Sequence, residues 1–477
     1  MISTERVSTE LVSTNPWDNS ELWRGPIATP ATIAAALASA RAAVADWSHT
    51  PDLRASVITR LGELLKSHAD ELATLISRET GKVLWEARLE VAAMANKCPL
   101  SIRAEHERRS PTTSPAGAIT YRPHGVALVL GPFNFPGHLP LGHIAPALLA
   151  GNTVLFKPSE KTPATAEFLA RLLHLAGLPP GVLQVLHGGA AVATQLIDSD
   201  INAVLFTGSL PVATQILSRL TRRPGVLTAL ELGGNNPLIV WDIQNTPAAV
   251  LHILQSAFAT SGQRCSCARR LILPRSSSNT ALLPMLTATA LALRTGPWNA
   301  EPQPFFGPLI DAPAAAHTLS VARTLLQSGA TALTPVPDRL AHPALLPPML
   351  LDATHCPRSD VEVFGPLLQL HFAESFEHAL SLANATSYGL VSGLLSDNPA
   401  LWDTFRRTAR AGVLTLNRPT TGASSELPFG GIGNSGNHRP SAYFAADYCS
   451  HPVAEMSSPA LQLPPTLPPG LTLTTNT

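Results

Sequence analysis

The sequence carries little charge and is poor in lysine. Its 477 residues include 33 Lys+Arg and 33 Asp+Glu, so charged residues make up only 14% and the formal net charge is zero. A nucleic-acid binder normally has a basic surplus, so this balance argues against such a partner. With 45% hydrophobic residues the chain can build a substantial core and is not a disordered polyelectrolyte. Only five lysines occur: Lys66, Lys82, Lys97, Lys157 and Lys161.

Cysteine is also scarce, and long apolar runs are missing. The five cysteines are an odd number with no C-x-x-C pair and no zinc-finger spacing, so we expect neither a disulfide framework nor a metal site. Residues 1–15 are polar and contain Glu5 and Glu10, so we expect no secretory leader. No run approaches the roughly 18 apolar residues of a membrane span. We therefore expect a soluble, cytoplasmic protein with reduced thiols and no membrane partner.

The chain has two parts that differ in the spacing of their apolar residues. Residues 27–105 carry apolar residues at helical spacing, which predicts helices. From about Tyr121, short apolar runs bounded by Gly and Pro alternate with helical segments, which predicts βαβ units and a mainly parallel sheet. The strands predicted in this first series are Val126–Leu130, Thr153–Phe156, Val182–Leu186, Val204–Phe206 and Leu238–Val240. A second series, from Ala268, has Leu271–Leu273, Leu367–Leu370, Leu390–Leu395 and Val413–Leu416. We predict two α/β domains with a boundary near Leu232.

Three segments are candidates for binding a phosphate-bearing cofactor. Gly431–Gly436 matches G-x-G-x-x-G, but no strand or helix is predicted around it, so we interpret it as a tight loop. Thr207-Gly208-Ser209 joins a predicted strand to a predicted helix, whose N-terminus presents free N–H groups to an anion. Lys157 and Glu160 follow a strand, where α/β sheets place ligands, and the Glu160 carboxylate would favour NAD by repelling the 2′-phosphate of NADP. Each segment alone is equally compatible with an ordinary turn or a solvated ion pair.

Cys265 is the candidate nucleophile, and Glu231 is the candidate base. Cys265 ends the string Gly262-Gln263-Arg264-Cys265, whose polar residues set it apart from a buried structural cysteine. Glu231 lies between apolar residues at the end of a predicted strand. Burial there would raise the pKa of the carboxyl group toward the neutral value that a general base requires. Either residue alone is more often structural than catalytic.

Taken together, these segments resemble the aldehyde dehydrogenase superfamily over nearly the whole chain. Seven of its signatures occur in family order: Gly131–Pro136, Phe156–Glu160, Phe206–Ser209, Leu230–Gly234, Gly262–Cys265, Glu362–Pro366 and Pro428–Gly431. The resemblance implies two parallel-sheet α/β domains plus a small β oligomerisation arm. It assigns residues 1–109 and 124–232 to an NAD-binding domain and 233–449 to a catalytic domain. Residues 110–123 and 450–477 would form the arm and tail, which implies a homodimer.

Within the superfamily the chain is similar to the N-succinylglutamate 5-semialdehyde dehydrogenases. The strings that carry this similarity are Gly233–Pro237, Gln263–Arg270, Thr420–Ser425, Gly436–Tyr443 and Ala446–Cys449. The similarity implies NAD-dependent oxidation of N-succinyl-L-glutamate 5-semialdehyde to N-succinyl-L-glutamate, in arginine degradation by the succinyltransferase route. It further implies that the Cys265 thiolate attacks the aldehyde while the Asn134 amide and the Cys265 N–H hold the oxyanion. Glu231 would then activate water to hydrolyse the thioester.

The resemblance also implies which residues contact NAD and the substrate. The cofactor contacts carry over to Lys157, Glu160, Gly208, Ser209, Leu210, Pro211, Val212, Ala213, Glu362 and Phe364. Ala213 stands where the family has glycine, so we expect its methyl group to weaken cofactor binding. Guanidinium groups bind carboxylates bidentately, and the substrate would carry two carboxylates. The candidate arginines are Arg264, Arg269, Arg418 and Arg439.

Three alternatives remain open. A broader-specificity NAD-dependent aldehyde dehydrogenase would share every catalytic residue, and only the Asn235-Asn236 and Asn437–Tyr443 strings argue against it. A thiol esterase without redox chemistry could use Cys265 and Asn134 but would not need a cofactor site. A non-catalytic protein on the same fold would have no reason to combine Cys265 with Glu231.

Overall fold

The computed structural model describes residues 9–275 and 281–474. Its N-terminal part is an antiparallel hairpin, β1 (Glu10–Thr14) and β2 (Glu21–Pro26), followed by four helices. The helices are α1 (Pro30–Ser48), α2 (Pro51–Ser67), α3 (Ala69–Thr80) and α4 (Leu84–Arg109), which confirms the helical prediction for residues 27–105. The sequence patterns do not predict the hairpin, because its buried positions are Ser13 and Gly25, which give no apolar signal.

A five-stranded parallel sheet follows, in the order β7-β6-β5-β8-β9. Its strands are β5 (Val126–Leu130), β6 (Thr153–Lys157), β7 (Leu183–Val185), β8 (Ala203–Gly208) and β9 (Leu227–Leu232). The connecting helices are α5 (His138–Leu149), α6 (Pro163–Leu175), α7 (Ala190–Asp198) and α8 (Leu210–Leu220). The strand order reverses beside β5, which has β6 on one side and β8 on the other. Such a switch point opens a crevice at the carboxyl ends of the strands, where α/β sheets bind ligands.

A second sheet has seven strands in the order β12-β13-β14-β11-β10-β15-β16, all parallel except β12. They are β10 (Asn236–Val240), β11 (Ala268–Pro274), β12 (Thr331–Ala332), β13 (Met349–Asp352), β14 (Leu367–Ala373), β15 (Val391–Leu395) and β16 (Val413–Leu416). The strand predicted at Leu238–Val240 belongs to this sheet and not to the first series, because it pairs with β11 and β15. The helices here are α9 (Thr246–Phe258), α10 (Leu282–Leu291), α11 (Ala312–Gln327), α12 (Phe376–Asn384) and α13 (Pro399–Thr408).

A small antiparallel sheet joins two segments that are far apart in the chain. β4 (Gly117–Pro123) lies between β3 (Thr112–Ser114) and β17 (Ser450–Glu455). This pairing forms the small β arm that the family resemblance implies. From residue 456 to residue 474 the chain forms no helix or strand. The Gly431–Gly436 segment is a loop with one short 3-10 turn (Gly433–Ser435), as predicted.

Apolar side chains fill both faces of the first sheet. Along β5, Ala127 and Val129 belong to a core cluster with α2, α4 and α5, whereas Val126, Leu128 and Leu130 belong to a cluster with α1, α7 and α8. A strand buried on both faces reads as a continuous apolar run, which explains why the sequence pattern located these strands well.

The five cysteines are free thiols. None of the helices in the two described ranges is long and apolar enough to cross a membrane.

Candidate active site

Cys265 lies in a strained loop between α9 and β11. The preceding Thr260, Ser261 and Gly262 have φ of 52°, 56° and 72°, in the left-handed region. A side chain at Gly262 would place its Cβ 2.2 Å from the Gly365 carbonyl oxygen. Non-glycine residues in this region cost of order 1–3 kcal/mol each, so the loop needs contacts that hold it.

Buried polar groups supply those contacts. The Glu86 Oε1 atom on α4 accepts hydrogen bonds from the Thr260 N–H at 3.0 Å and from the Thr260 hydroxyl at 2.9 Å. The Arg264 Nη2 atom donates to the same oxygen at 2.8 Å. On the other side of the turn, the Ser261 hydroxyl donates to the Gly307 carbonyl at 2.7 Å. The loop conformation is thus fixed by groups outside it.

Asn236, at the start of β10, holds the backbone of Cys265, the candidate nucleophile. Its Nδ2 atom donates to the Cys265 carbonyl at 2.7 Å and to the Cys267 carbonyl at 2.9 Å. Its Oδ1 atom accepts from the Val391 N–H at 3.1 Å, which ties the loop to β15. Of the Asn235-Asn236 pair, recognised in the sequence only as a family string, Asn236 is the residue that contacts the Cys265 loop. Its neighbour Asn235 turns away and donates to Asp360 at 3.1 Å.

Two cavities meet at Cys265. The larger, about 650 Å³, opens at the switch point of the first sheet. The predicted site residues that line it are Asn134, Lys157, Glu160, Gly208, Ser209, Val212, Glu231, Cys265, Glu362 and Phe364. The smaller, about 200 Å³, lies on the other side of the thiol and is lined by Lys97, Arg264 and several hydroxyl side chains. A thiol with a cavity on either side can contact two different small molecules at once.

Glu231 ends β9 with only 1% of its surface exposed. Burial raises the pKa of its carboxyl group to about 7, while the positive charge of Lys97 and a long contact with the Thr207 side chain act in the opposite direction. Neither carboxylate oxygen has a partner within hydrogen-bond distance. The group can therefore take up or release a proton near neutral pH, as a general base must.

The pKa of the Cys265 thiol is also raised, and for a thiol this disfavours the reactive thiolate. Burial raises its pKa well above the usual value, and the negative charges of Glu231 and Glu362 raise it further. The thiol is therefore protonated at rest and needs a base when it reacts. Glu231 lines the same cavity.

Asn134 follows β5 and faces the nucleophile loop. Its Nδ2 atom donates to the Gln263 carbonyl at 2.9 Å, and its own carbonyl accepts from Lys82 Nζ at 2.8 Å. An amide nitrogen carries two hydrogens, so one N–H of Asn134 remains for an oxyanion formed at Cys265. Lys82 in turn forms an ion pair with Glu90 on α4, so the loop that carries Asn134 is fixed to that helix.

The residues at the carboxyl ends of β6 and β8 suit a dinucleotide. Lys157 Nζ donates to the carbonyls of Pro158 and Gly188, both at 2.7 Å, and lies 4.0 Å from the half-exposed Glu160 carboxylate. Gly208 and Ser209 lie at the start of α8, whose N-terminal N–H groups and dipole favour a pyrophosphate.

Glu362 lies deeper in the same cleft. Its Oε1 atom is buried without a hydrogen bond and stands 3.6 Å from Arg269 Nη2. A Cβ at Gly233 would lie 1.7 Å from Glu362 Oε2, so only glycine leaves room for this carboxylate. An orphaned acceptor inside a cleft suits the hydroxyl groups of a ribose, so the residues present fit a nicotinamide dinucleotide.

Three of the predicted cofactor residues do not line the cleft. Leu210 packs against the core, Pro211 is exposed, and Ala213 is 1% exposed within the core cluster beside Ile216. α8 turns the Ala213 methyl group into the core and away from the cleft, and its expected effect on cofactor binding stays a prediction. Val212 does line the cleft.

Of the four candidate arginines, Arg264 lines the smaller cavity. Arg269 is 1% exposed, and its guanidinium donates to the carbonyls of Gly262 and Arg264, which leaves it supporting the nucleophile loop. Arg439 donates to the Gly431 carbonyl at 2.9 Å, and Arg418 is exposed on the loop after β16. Neither lines either cavity, so the geometry supports a substrate contact for Arg264 alone.

The comparisons with known proteins agree with this geometry. The sequence model of the aldehyde dehydrogenase family matches residues 2–452. The chain is 49% identical over 454 residues to N-succinylglutamate 5-semialdehyde dehydrogenase 2 of Caulobacter vibrioides, covering 94% of this chain and 93% of that protein. It is 47% identical over 466 residues to the N-succinylglutamate 5-semialdehyde dehydrogenase of Chromohalobacter salexigens, covering 96% and 95%. Among solved structures, 1-pyrroline-5-carboxylate dehydrogenase from Thermus with bound NAD matches with a TM-score of 0.88 and 28% identity, covering 94% of this chain and 90% of that one. The chain belongs to the aldehyde dehydrogenase family.

Proposed function

We propose that this protein oxidises N-succinyl-L-glutamate 5-semialdehyde to N-succinyl-L-glutamate with NAD as the hydride acceptor. The observation that carries the chemistry is the Cys265 thiol at the junction of two cavities, with Glu231 in the larger one. The choice of substrate is supported by relatives of that name at 46–49% identity over nearly the whole chain.

The first step forms a bond between Cys265 Sγ and the aldehyde carbon. The carbonyl π electrons move to oxygen, and the oxyanion accepts hydrogen bonds from Asn134 Nδ2 and the Cys265 backbone N–H. The thiol must lose its proton as sulfur attacks, and Glu231 is the base that lines the same cleft. The strained loop and its anchors hold the sulfur at the cavity junction throughout.

When bound, NAD supplies the hydride acceptor that turns the thiohemiacetal on Cys265 into a thioester. Lys157 and Glu160 would hold the adenosine ribose, and Glu362 with Phe364 the nicotinamide half. The half-exposed Glu160 carboxylate disfavours a 2′-phosphate, so we expect NAD to be used in preference to NADP.

Hydrolysis completes the cycle. Glu231 first releases the proton that it took from the thiol to solvent. It then removes a proton from water as the water oxygen attacks the thioester carbonyl, and the same oxyanion donors stabilise the tetrahedral species. The carbon–sulfur bond breaks, the Cys265 thiolate takes back the proton held by Glu231, and the product loses its own proton to solvent and departs as a carboxylate. A carboxylate base at position 231 supports hydrolysis and not transfer of the acyl group to a thiol cosubstrate.

The test is NADH formation with N-succinylglutamate 5-semialdehyde beside a panel of simple aldehydes. We expect a higher kcat/KM for the succinylated aldehyde than for propanal or hexanal. Equal or better turnover of the simple aldehydes would favour a broader-specificity enzyme. Cys265→Ala is expected to abolish turnover of every aldehyde, whereas Cys356→Ala, at a partly exposed cysteine outside both cavities, is the matched control.

We also propose that two copies pair through the small antiparallel sheet and work in the cytoplasm. Residues 1–109 and 124–232 would bind NAD, 233–449 would carry the nucleophile, and 110–123 with 450–477 would meet the second copy. The exposed apolar side chains beyond β17, among them Met456, Leu461 and Leu463, support a covered surface in the assembly. Light scattering on the chain truncated after residue 455 is expected to show weaker dimerisation, and an unchanged mass would contradict the role of the tail.

A further inference from the structure

The smaller cavity contains a buried cation without a partner. Lys97, on α4, is 2% exposed and lines the cavity that reaches Cys265. Within the described residues its ammonium group makes no hydrogen bond and no ion pair. A buried ammonium costs free energy to desolvate unless an anion or several acceptors surround it. The residue therefore has unused donors at the place where a substrate would lie.

The other charges that line this cavity are already matched. Glu90 accepts from Lys82 at 2.5 Å and from two backbone N–H groups at the start of α5. Glu86 pairs with Arg264 at 2.8 Å. Burial and the nearby positive charges lower the pKa of His138 well below its usual value, so its ring is neutral. Lys97 is thus the lining cation whose charge no carboxylate balances within ion-pair distance.

Glu231 is the acidic group that acts on Lys97 electrostatically. Neither carboxylate oxygen of Glu231 has a hydrogen-bond partner, so Lys97 Nζ does not donate to it. Burial lowers the pKa of Lys97 to about 8, so the group is still mostly protonated at neutral pH. A cationic donor of this kind attracts an anion that enters the cavity.

The ammonium lies against α5 at Gly142 and lines a cavity of about 200 Å³. A Cβ at Gly142, in the middle of α5, would lie 2.7 Å from Lys97 Nζ and 3.7 Å from the Ser441 hydroxyl. Glycine is unfavourable inside a helix relative to alanine, and here the absence of a side chain makes space for the ammonium. Five hydroxyl side chains also line this cavity: Ser266, Thr421, Ser424, Ser425 and Ser441. An ammonium facing hydroxyl groups is a suitable environment for a carboxylate.

We infer that Lys97 binds a carboxylate of the aldehyde substrate and is a specificity-determining residue for anionic aldehydes. The inference rests on the proposed function and extends it by naming the side chain that binds the negatively charged group of the substrate. It places one carboxylate at Lys97 Nζ, within the cavity that these hydroxyl groups line, while the aldehyde carbon reaches Cys265. Arg264, whose charge is shared with Glu86, lies at the same cavity and is secondary.

The test compares Lys97→Gln and Lys97→Met with Lys66→Gln, which removes the same charge from an exposed position on α2. Steady-state kinetics are measured with N-succinylglutamate 5-semialdehyde, succinic semialdehyde and the neutral propanal. We expect kcat/KM for the anionic aldehydes to fall about 10- to 100-fold in both Lys97 variants, the loss of a charged hydrogen bond. Because the charge of Lys97 also lowers the pKa of Glu231, kcat/KM for propanal should fall too, but much less than for the anionic aldehydes, and Lys66→Gln should resemble wild type.

Two further measurements separate recognition from a structural role. Removing an unpaired buried charge should leave Tm unchanged or raise it, whereas loss of a structural contact would lower it. Calorimetric affinity for N-succinylglutamate should weaken at least about tenfold in Lys97→Met. Equal losses on propanal and the anionic aldehydes, or no loss on the anionic ones, would overturn the inference. The succinic semialdehyde to propanal ratio tests Lys97 even if the wild-type protein prefers another aldehyde, so failure of the proposed substrate is recognised separately.

Discussion

Ionisation of Glu231 should set the pH dependence of thioester hydrolysis. The pKa of this buried carboxyl group is about 7. Its ionised fraction therefore rises from about one tenth near pH 6 to about nine tenths near pH 8. If the carboxylate is the base that activates water, the hydrolysis rate constant should rise roughly tenfold over this interval and then reach a plateau.

The measurement isolates hydrolysis from the earlier steps. Cys265 is acylated with p-nitrophenyl acetate in the absence of cofactor, excess reagent is removed, and the acetylated protein is diluted into buffers of different pH. Intact-protein mass spectrometry follows loss of the acetyl group. Acyl-enzyme unfolded in denaturant is the control, since hydrolysis by hydroxide alone rises about tenfold for each pH unit with no plateau.

Glu231→Gln keeps the side-chain volume and removes the base. We expect its acetylated form to hydrolyse about 10²- to 10⁴-fold more slowly than the wild-type form, with no inflection near pH 7. A wild-type rate constant that stays flat between about pH 6 and pH 8 would refute the reasoning. So would a Gln variant that hydrolyses as fast as wild type.

Three further substitutions test the support of the site and the cost of buried charge. Glu86→Ala should lower the free energy of unfolding by roughly 3–5 kcal/mol in urea denaturation, because it leaves the Thr260 N–H and a guanidinium without their acceptor. Asn236→Ala should lower kcat at least about tenfold while NAD affinity, measured by fluorescence, stays within about twofold, because it releases the Cys265 carbonyl. Glu105→Gln should match wild-type stability near pH 4 and exceed it by up to about 3 kcal/mol near pH 8. Burial raises the pKa of the Glu105 carboxyl group in the folded protein to about 7. The neutral carboxyl group therefore contributes its full stability below the pKa of the unfolded chain, and this stability is lost as the pH rises to about 7.

Each of these has a contrary outcome. A loss below about 1 kcal/mol in Glu86→Ala would mean that the strained loop is held by other groups. Equal kcat in Asn236→Ala would show that the loop keeps its geometry without the amide. A constant stability difference between Glu105→Gln and wild type across the pH range would contradict the raised pKa.

Most strands of the two sheets were predictable because their signals are local, whereas β12 and β13 were missed. A strand buried on both faces is a continuous apolar run, and the Gly and Pro residues that bound it are visible beside it. The nucleophile and base also stand in short characteristic strings, so Cys265 and Glu231 could be singled out from the sequence. The hairpin at Glu10–Pro26 could not, because its buried residues are Ser13 and Gly25.

The partners of those residues depend on tertiary contacts. Glu86 reaches Thr260 across 174 residues, and Asn236 reaches Cys265 across 29. A glutamate that clamps a strained turn and a glutamate on a solvated helix face have the same sequence signature. Only burial and hydrogen-bond geometry distinguish them.

The sequence by itself determined the family and the two-sheet architecture, and it singled out Cys265 and Glu231 as the candidate nucleophile and base, since periodicity and short motifs encode them locally. The tertiary structure decided what the basic residues do. Four arginines were candidates for binding the substrate because guanidinium groups suit carboxylates. In the structure, Arg269 and Arg439 donate hydrogen bonds to backbone carbonyls instead. Lys97, which the sequence marked only as one of five lysines, is the buried cation that faces the cavity. Charge recognition depends on which donors remain unpaired after folding, and that is a property of packing.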